Sequence, residues 1–352
     1  METYARELYR AFARMGTEFE FVGLISKEGA QRDTSWFPGE VVDSGISGEN
    51  RFVWAYGELF QVSKWAKRLG ADLIHCPALL GPKKSEMPTV LTLHDLLYWS
   101  HPELMAVSYY TKPVKWMEKK AAANATRVLT ISESSRSEIV KHLNVDEDRL
   151  DVVPLAGTTS GHSADFRRDP DPKGLILGTG NRLPHKNWAS LIRALPLIPE
   201  ERRPSLVITG SHGDDPLKPI VTELGLERWV SLLGWISNEE MQSLYERATI
   251  MAMPSFWDGF CLPALEAMMV GLPVMLADIA VYREVGGDAA LYFDPRSLEE
   301  IAATMVKAVT DPELTARLSE RGYLQSAKFS WESTAEGTLA SFRAALEPVP
   351  VG

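Results

Sequence analysis

Two acids, Asp258 and Glu266, stand seven residues apart in the string PSFWDGFCLPALEAMM (Pro254–Met269). The flexible Gly259 follows the first acid, then Phe260, Cys261 and Leu262. Pro263 falls where the first turn of a helix tolerates a missing N–H. The N–H groups and positive dipole end of such a helix start attract an anion. A carboxylate before the loop and another one turn into the helix can hold neutral hydroxyls on either side of that anion. Hydroxyls flanking a phosphate describe a nucleotide sugar. Either acid alone reads more readily as a surface residue of an ordinary loop and helix start; the whole string argues for the ligand.

A second loop carries the opposite charge. GLILGTG (Gly174–Gly180) reads as a strand, and NRLPHKNW after it places Arg182 and Lys186 before a helix. Arg binds phosphate bidentately and Lys acts as a point charge, so the two together form a diphosphate clamp; the alternative is a solvated basic pair. A dinucleotide fingerprint on Gly178 and Gly180 fails, because Leu183 occupies the third glycine position. His94 ends the apolar string LTLHDL, and His212 follows another strand in GSHGD, where it lines either a base or sugar pocket or an ordinary loop. His75, His101, His142, His162 and His185 show no metal-ligand spacing, so no catalytic metal is expected.

Elements able to position these groups alternate along the chain. Helix Glu2–Met15 precedes strand Phe19–Ile25; helix Trp54–Leu69 leads to strands Asp72–Cys76 and Pro88–Asp95; then come helix Tyr109–Ala123, strand Arg127–Ser132, helix Glu133–Leu143 capped by Ser132, and strand Asp151–Ala156. The polar, proline-bearing Ser163–Lys173 reads as a linker. Beyond it the alternation restarts, with strands at Gly174–Gly180, Ser205–Gly210, Trp229–Trp235, Thr249–Ser255, Leu272–Asp278 and Ala289–Pro295. Near-continuous apolar strands separated by helices imply parallel sheets covered on both faces. Two such halves suit two Rossmann-like domains facing a cleft, with ligands at the carboxyl ends of strands. His94, Gly180, Gly210 and Ser255 all fall at such ends. Trp188, Trp229, Trp235 and Trp257 read as core or pocket wall.

A chain of 352 residues favours two domains. Its net charge of −10 argues against a nucleic-acid partner. The two cysteines, Cys76 and Cys261, suit a reducing compartment, and neither a spanning apolar run nor a signal peptide is evident, so a cytoplasmic setting is expected. Helix Tyr109–Ala123 interleaves four lysines with Tyr110, Val114, Trp116 and Met117. That pattern fits a peripheral contact with anionic lipid or a lipid-linked acceptor, and more plainly a solvated basic face. A homo-oligomer stays open.

The motif string resembles the Glu-(seven residues)-Glu signature of family 4 retaining glycosyltransferases, which have the GT-B fold. GNRLPHKN, LTLHDL, SNEEMQSLYERATIMAMPS, REVGGDAALYFDP and FSWESTAEGTL resemble the same family, within it a mannosyltransferase-like subgroup. The likeness is dense over about Gly174–Leu339 and thinner before Gly157. It implies that Asp258 and His94 contact the donor sugar, Glu266 the ribose, and Arg182 and Lys186 the diphosphate. The backbone of Gly259, Phe260, Cys261 and Leu262 would line sugar and diphosphate, with Gly180 and His212 beside the donor. It implies an acceptor-side domain over 1–165, on which 331–352 packs back, and a nucleotide-sugar domain over 166–330. The activity implied is transfer of a hexose, mannose by subgroup, from a GDP- or UDP-linked donor to a hydroxyl acceptor in polysaccharide or glycolipid assembly. No cofactor, metal or enzyme nucleophile is required. Two departures stand out. The first acid is Asp, one methylene shorter than Glu, and Met1 stands where a first strand and a glycine-rich loop would end. Both keep a second reading open, a nucleotide-sugar-binding or scaffold protein without turnover.

Overall fold

The computed structural model of the chain describes residues 2–104, 108–158 and 167–347. Of the segment read as a linker, residues 163–166 lie outside that description, as does His162. The chain divides into two compact units, Met1–Leu155 with Ser330–Gly352, and Ala156–Phe329.

The first unit runs α1 (Glu2–Met15), β1 (Phe21–Ile25), β2 (Gly39–Asp43), α2 (Arg51–Phe60), α3 (Val62–Leu69), β3 (Ile74–Cys76), β4 (Thr89–Thr92), α4 (Leu97–Ser100), α5 (Ser108–Asn124), β5 (Arg127–Thr130), α6 (Glu133–Leu143) and β6 (Leu150–Val152). Its strands form two parallel sheets among the described residues, β1-β2 and β3-β4-β5-β6. Aromatic side chains of α1 touch both. Phe12 stacks on Phe21 of β1 at 5.1 Å, and Tyr9 sits edge-on to Phe21 while its hydroxyl meets His75 Nδ1 of β3 at 3.0 Å. The helix expected over Trp54–Leu69 starts earlier and breaks in two. Asn50 Oδ1 accepts from the Phe52 and Val53 N–H groups and sets the start, and Gln61 separates α2 from α3. Ser132 caps α6 by accepting from the Ser135 N–H.

α5 buries Glu118, whose Oε2 accepts from the Trp99 indole N–H at 2.7 Å. Burial raises its carboxyl from 4.5 to about 7. Between those values the unfolded chain releases the proton and the folded chain keeps it, so stability falls as pH rises from 4.5 to 7 and levels off above. The loss amounts to about 3 kcal/mol. Glu118→Gln should therefore raise Tm by several degrees at pH 8 and leave it unchanged at pH 4, as thermal melts across pH will show.

The second unit runs β7 (Leu175–Thr179), α7 (Trp188–Ala194), β8 (Ser205–Ser211), α8 (Lys218–Glu223), β9 (Val230–Gly234), α9 (Asn238–Arg247), β10 (Ile250–Met253), α10 (Leu262–Met269), β11 (Val274–Ala277), α11 (Ala280–Gly286), β12 (Ala290–Phe293), α12 (Leu298–Thr310) and α13 (Pro312–Ser326). One parallel sheet joins its strands in the order β12-β11-β10-β7-β8-β9. β10 and β11 are buried along their whole length, which is why they read as unbroken apolar runs. Gly157 already belongs here: a Cβ on it would lie 2.6 Å from Met269 Sδ and 3.1 Å from Glu266 Cγ of α10. The chain then returns to the first unit as α14 (Trp331–Leu346), whose N-cap Ser330 accepts from the Ser333 N–H. Phe342 of α14 packs near Phe12 and His75, and Arg343 reaches Glu18.

Candidate active site

Chain order reverses beside β7. From β7 the chain moves outward to β8 and β9, then crosses to the other side of β7 as β10 and continues to β11 and β12. Ligands in such sheets bind outside the carboxyl ends of the strands at that reversal. The loops after β7 and β10 flank it, and they are fastened to each other. The Phe256 N–H donates to the His185 carbonyl at 2.8 Å, and Asn187 Nδ2 donates to the Pro254 and Pro295 carbonyls at 3.0 and 2.9 Å. Asn187 takes φ +56, a left-handed value that Asn tolerates, and so ends the short turn that carries Lys186.

Lys186 Nζ lies 2.6 Å from Asp258 Oδ2, a bridge across the reversal from one loop to the other. Tyr282 of α11, fully buried, places its hydroxyl 3.0 Å from the same carboxylate oxygen and 2.8 Å from Ser255 Oγ. A phenol has one proton, so Tyr282 donates to Asp258 and accepts from Ser255. Burial holds the Tyr282 phenol well above its usual range, with the Cys261 and Asp258 groups adding to the effect. It stays a donor. Tyr282→Phe removes that bond without changing ring volume and leaves the buried Ser255 hydroxyl without its acceptor, so it should lower kcat/KM about tenfold and lower Tm by a few degrees, since one hydrogen bond to a charged group is worth about 1.5–3 kcal/mol. Steady-state kinetics and a melting curve check both halves.

The motif loop itself is mostly buried. The Gly259 N–H donates to Asp258 Oδ1 at 3.1 Å. Phe260 turns its ring inward against Phe329, so what it can offer a ligand is its N–H. Cys261 is the N-cap of α10, and burial pushes its thiol up to about 12, which rules it out as a nucleophile near neutral pH. Among the described residues, none accepts a hydrogen bond from the Phe260, Cys261 or Leu262 N–H. One turn into α10, Glu266 Oε1 accepts from Thr158 Oγ1 at 2.9 Å and from the Thr158 N–H at 3.3 Å. Burial raises its carboxyl pKa.

Arg182 departs from the clamp expected of it. Its side chain and that of Asp215 are both buried, Nε to Oδ2 at 2.9 Å. Nη1 donates to the Gly180 and Thr209 carbonyls, and Nη2 to those of Ile208 and Leu233. A guanidinium has five N–H groups, and these five acceptors engage all of them. The reason lies in the sheet. The β8–β9 register shifts between Ile208 and Ser211, which disrupts the ladder locally, and Arg182 donates to carbonyls at the ends of β7, β8 and β9 around that shift. The structure therefore brings Lys186 and Asp258 together and gives Arg182 a different task. Gly180, at φ +143, ends β7 against Gly210, whose Cβ would lie 2.9 Å from the Gly180 carbonyl oxygen. His212, beyond β8, is exposed and stacks on Trp235 at 5.3 Å and 16°.

His94 belongs to the first unit. It follows β4, and its Nε2 lies 2.9 Å from the Pro77 carbonyl oxygen. A carbonyl only accepts, so Nε2 carries the proton. Burial lowers the imidazole to about 4, leaving it neutral at physiological pH. Tyr4 braces the ring edge-on at 4.7 Å.

Comparison with known proteins identifies the family. The model for glycosyl transferases group 1 matches residues 164–325, and that for glycosyltransferase family 4 matches 1–156. The O-antigen chain mannosyltransferase B of Escherichia coli is 33% identical over 301 residues, 79% of this chain and 76% of that protein. This chain belongs to the family 4 glycosyltransferases. The MMP α-(1→4)-mannosyltransferase of Mycolicibacterium hassiacum is 28% identical to this glycosyltransferase, over 79% of its chain and 72% of the relative. Solved structures establish the GT-B fold. Sucrose-phosphate synthase from Thermosynechococcus elongatus superposes with a TM-score of 0.74 at 18% identity, covering 97% and 92% of the two chains. HepE of Anabaena in complex with UDP-glucose gives 0.71 at 18% identity, covering 97% and 95%.

Several residues of this glycosyltransferase site escape a reading of the sequence. Tyr282 and Ser255 hold Asp258, Thr158 holds Glu266, and Asp215 neutralises Arg182. Trp235, read as core or pocket wall, is 78% exposed. Its position one residue beyond β9, opposite the loop of His212, is the available signal.

Proposed function

We propose that this glycosyltransferase moves a hexose, with mannose the first candidate, from a nucleoside diphosphate to a hydroxyl of a growing polysaccharide or glycolipid, with retention and without a metal ion. The observation that carries the reading is the Lys186–Asp258 bridge over the strand-order reversal, beside the Phe260–Leu262 amides. A diphosphate seated there exchanges Asp258 for its own oxygens as the partner of Lys186, and the amides share its charge. Asp258, still held by Tyr282, then accepts from sugar hydroxyls. Glu266, with Thr158 beside it, accepts from the ribose. The stacked Trp235 and His212 offer the base an aromatic face.

In the transfer, the acceptor oxygen bonds to the anomeric carbon on the face from which the diphosphate leaves. The bond to the leaving phosphate oxygen breaks, and that oxygen takes the acceptor's proton. Lys186 and the loop amides stabilise the charge that develops on the diphosphate, so that neither an enzyme nucleophile nor a metal is needed. The relatives named mannosyltransferases favour mannose, and the HepE complex shows that a GT-B protein accepts a UDP-linked sugar.

Purified protein incubated with GDP-mannose, UDP-glucose and related donors, with a lipid-linked or oligosaccharide acceptor, should release GDP from GDP-mannose. Proton NMR of the product should show an anomeric centre unchanged from the donor, and EDTA should leave the rate intact. A nucleotide-dependent rise in Tm without turnover of any donor would favour the binding-protein reading instead. An inverted product, or loss of activity with EDTA, would overturn front-face, metal-free transfer.

A further inference from the structure

The ends of β8 and β9 carry a flat aromatic shelf. Ser211 of β8 pairs with Gly234 of β9, so His212 and Trp235 follow as the next neighbours across the two strands. Adjacent strands run about 4.8 Å apart, close to the stacking distance of rings. The two rings accordingly meet at 5.3 Å and 16°. Both stay exposed, Trp235 more than any other large apolar residue of the second unit except none that lies in its core.

The loop beneath the shelf is fixed from below. Asp215 is buried; its Oδ1 accepts from the Leu217 N–H at 3.0 Å and its Oδ2 from Arg182 Nε at 2.9 Å. Asp214 is the opposite. It is exposed, and its carboxylate has no hydrogen bond or ion pair among the described residues. Gly213, at φ +67, turns the chain between the stacked imidazole and this carboxylate. A Cβ on Gly213 would meet nothing within 4 Å, so the space over the turn is open. Asp214 lies two residues from His212, at most about 7 Å along the chain. A carboxylate without a partner thus stands at the rim of an aromatic surface, on a loop whose other acid is committed inward.

Stacking holds a base without choosing it, because every base has a π-face. Choice requires a polar group at the base's edge. Guanine presents two adjacent donors there, N1–H and the 2-amino N–H, and the two oxygens of a carboxylate accept both in parallel. Uracil presents one N–H between two carbonyl oxygens, and adenine an acceptor where guanine has N1–H. A carboxylate only accepts, so either base sets lone pair against lone pair. We infer that Asp214 reads the edge of a base stacked on the Trp235–His212 shelf and selects guanine. The inference rests on the donor reading above for the presence of a nucleotide, and it names the base and the side chain that chooses it.

Calorimetric titration of the full chain with GDP, inosine diphosphate, UDP and ADP tests it. Inosine diphosphate keeps the N1–H and lacks the 2-amino group. The parent should bind GDP about tenfold more tightly than inosine diphosphate and about a hundredfold more tightly than UDP or ADP. Asp214→Ala should weaken GDP about tenfold or more, bring GDP and inosine diphosphate within a few-fold of each other, and leave UDP unchanged. Its Tm should match the parent, since the side chain is exposed. Trp235→Ala should weaken all four nucleotides alike. GDP affinity unchanged in Asp214→Ala overturns the proposal, as do an equal loss for all four nucleotides in that variant, UDP bound as tightly as GDP by the parent, and no binding of any of the four. GDP bound through Asp214 without turnover of any donor keeps the base assignment and removes the transferase activity. Release of UDP from a UDP-linked sugar, indifferent to Asp214→Ala, does the reverse.

Discussion

Lys186→Ala should lower kcat/KM for donor-dependent transfer by two to three orders of magnitude, about 2.7–4 kcal/mol of transition-state stabilisation. The size follows from where the cation sits. Lys186 is held over the reversal point by a short turn that Asn187 anchors to the Pro254 and Pro295 carbonyls, so it needs no reorganisation as the diphosphate departs. Charge on the leaving group grows toward the transition state, so kcat should fall more than KM rises. The fold should survive. Asp258 keeps Tyr282 and the Gly259 N–H as donors, and its side chain is 19% exposed, which leaves water a route to the carboxylate. A modest drop in Tm is therefore expected, and a melting curve separates it from lost catalysis. Lys186→Arg restores the charge on a longer planar fork and should recover only part of the rate. A Lys186→Ala enzyme that kept a tenth or more of the parent kcat/KM would refute the assigned role.

Much of this architecture is legible in the order of residues alone. β10 and β11 announce themselves because strands covered on both faces contain little but apolar residues, and α6 reads cleanly because Ser132 caps its start. The motif loop is legible because Asp258, Gly259, Pro263 and Glu266 each satisfy a local requirement that sequence spacing records. What fails to show is what depends on distant partners. β2 is GEVVD, half polar and largely unburied, so no alternation marks it. The separation of β1-β2 from the other strands rests on Tyr9, Phe12, Phe21 and His75, rings brought together from three elements. Tyr282 acts on Asp258 from 24 residues further along, and Thr158 on Glu266 from 108 residues away. A charge in a loop carries no sign of whether it meets solvent or strand-end carbonyls, and Arg182 misleads for that reason.

Arg182→Ala should consequently be a stability variant rather than a catalytic one. Removing the guanidinium strands the buried Asp215 carboxylate, which retains the Leu217 N–H at 3.0 Å but loses its counter-ion. Four carbonyls at the ends of β7, β8 and β9 each lose one donor in the same step, although that of Thr209 keeps the Gly180 N–H at 3.2 Å. Breaking a buried ion pair from one side costs about 3–5 kcal/mol, so urea denaturation should show a midpoint far below the parent. Arg182→Lys should rescue little, because an ammonium has three donors and no planar fork to span carbonyls on neighbouring strands. The double variant Arg182→Met/Asp215→Leu should regain part of the loss by removing both charges together. In whichever variant stays folded at low temperature, donor KM and kcat should lie within a few-fold of the parent. A diphosphate clamp would give the reverse pattern, parent-like stability with a hundredfold deficit in kcat/KM, and that result would return Arg182 to the donor site. Denaturation and kinetics on the same preparations decide the matter, since the two roles move opposite observables.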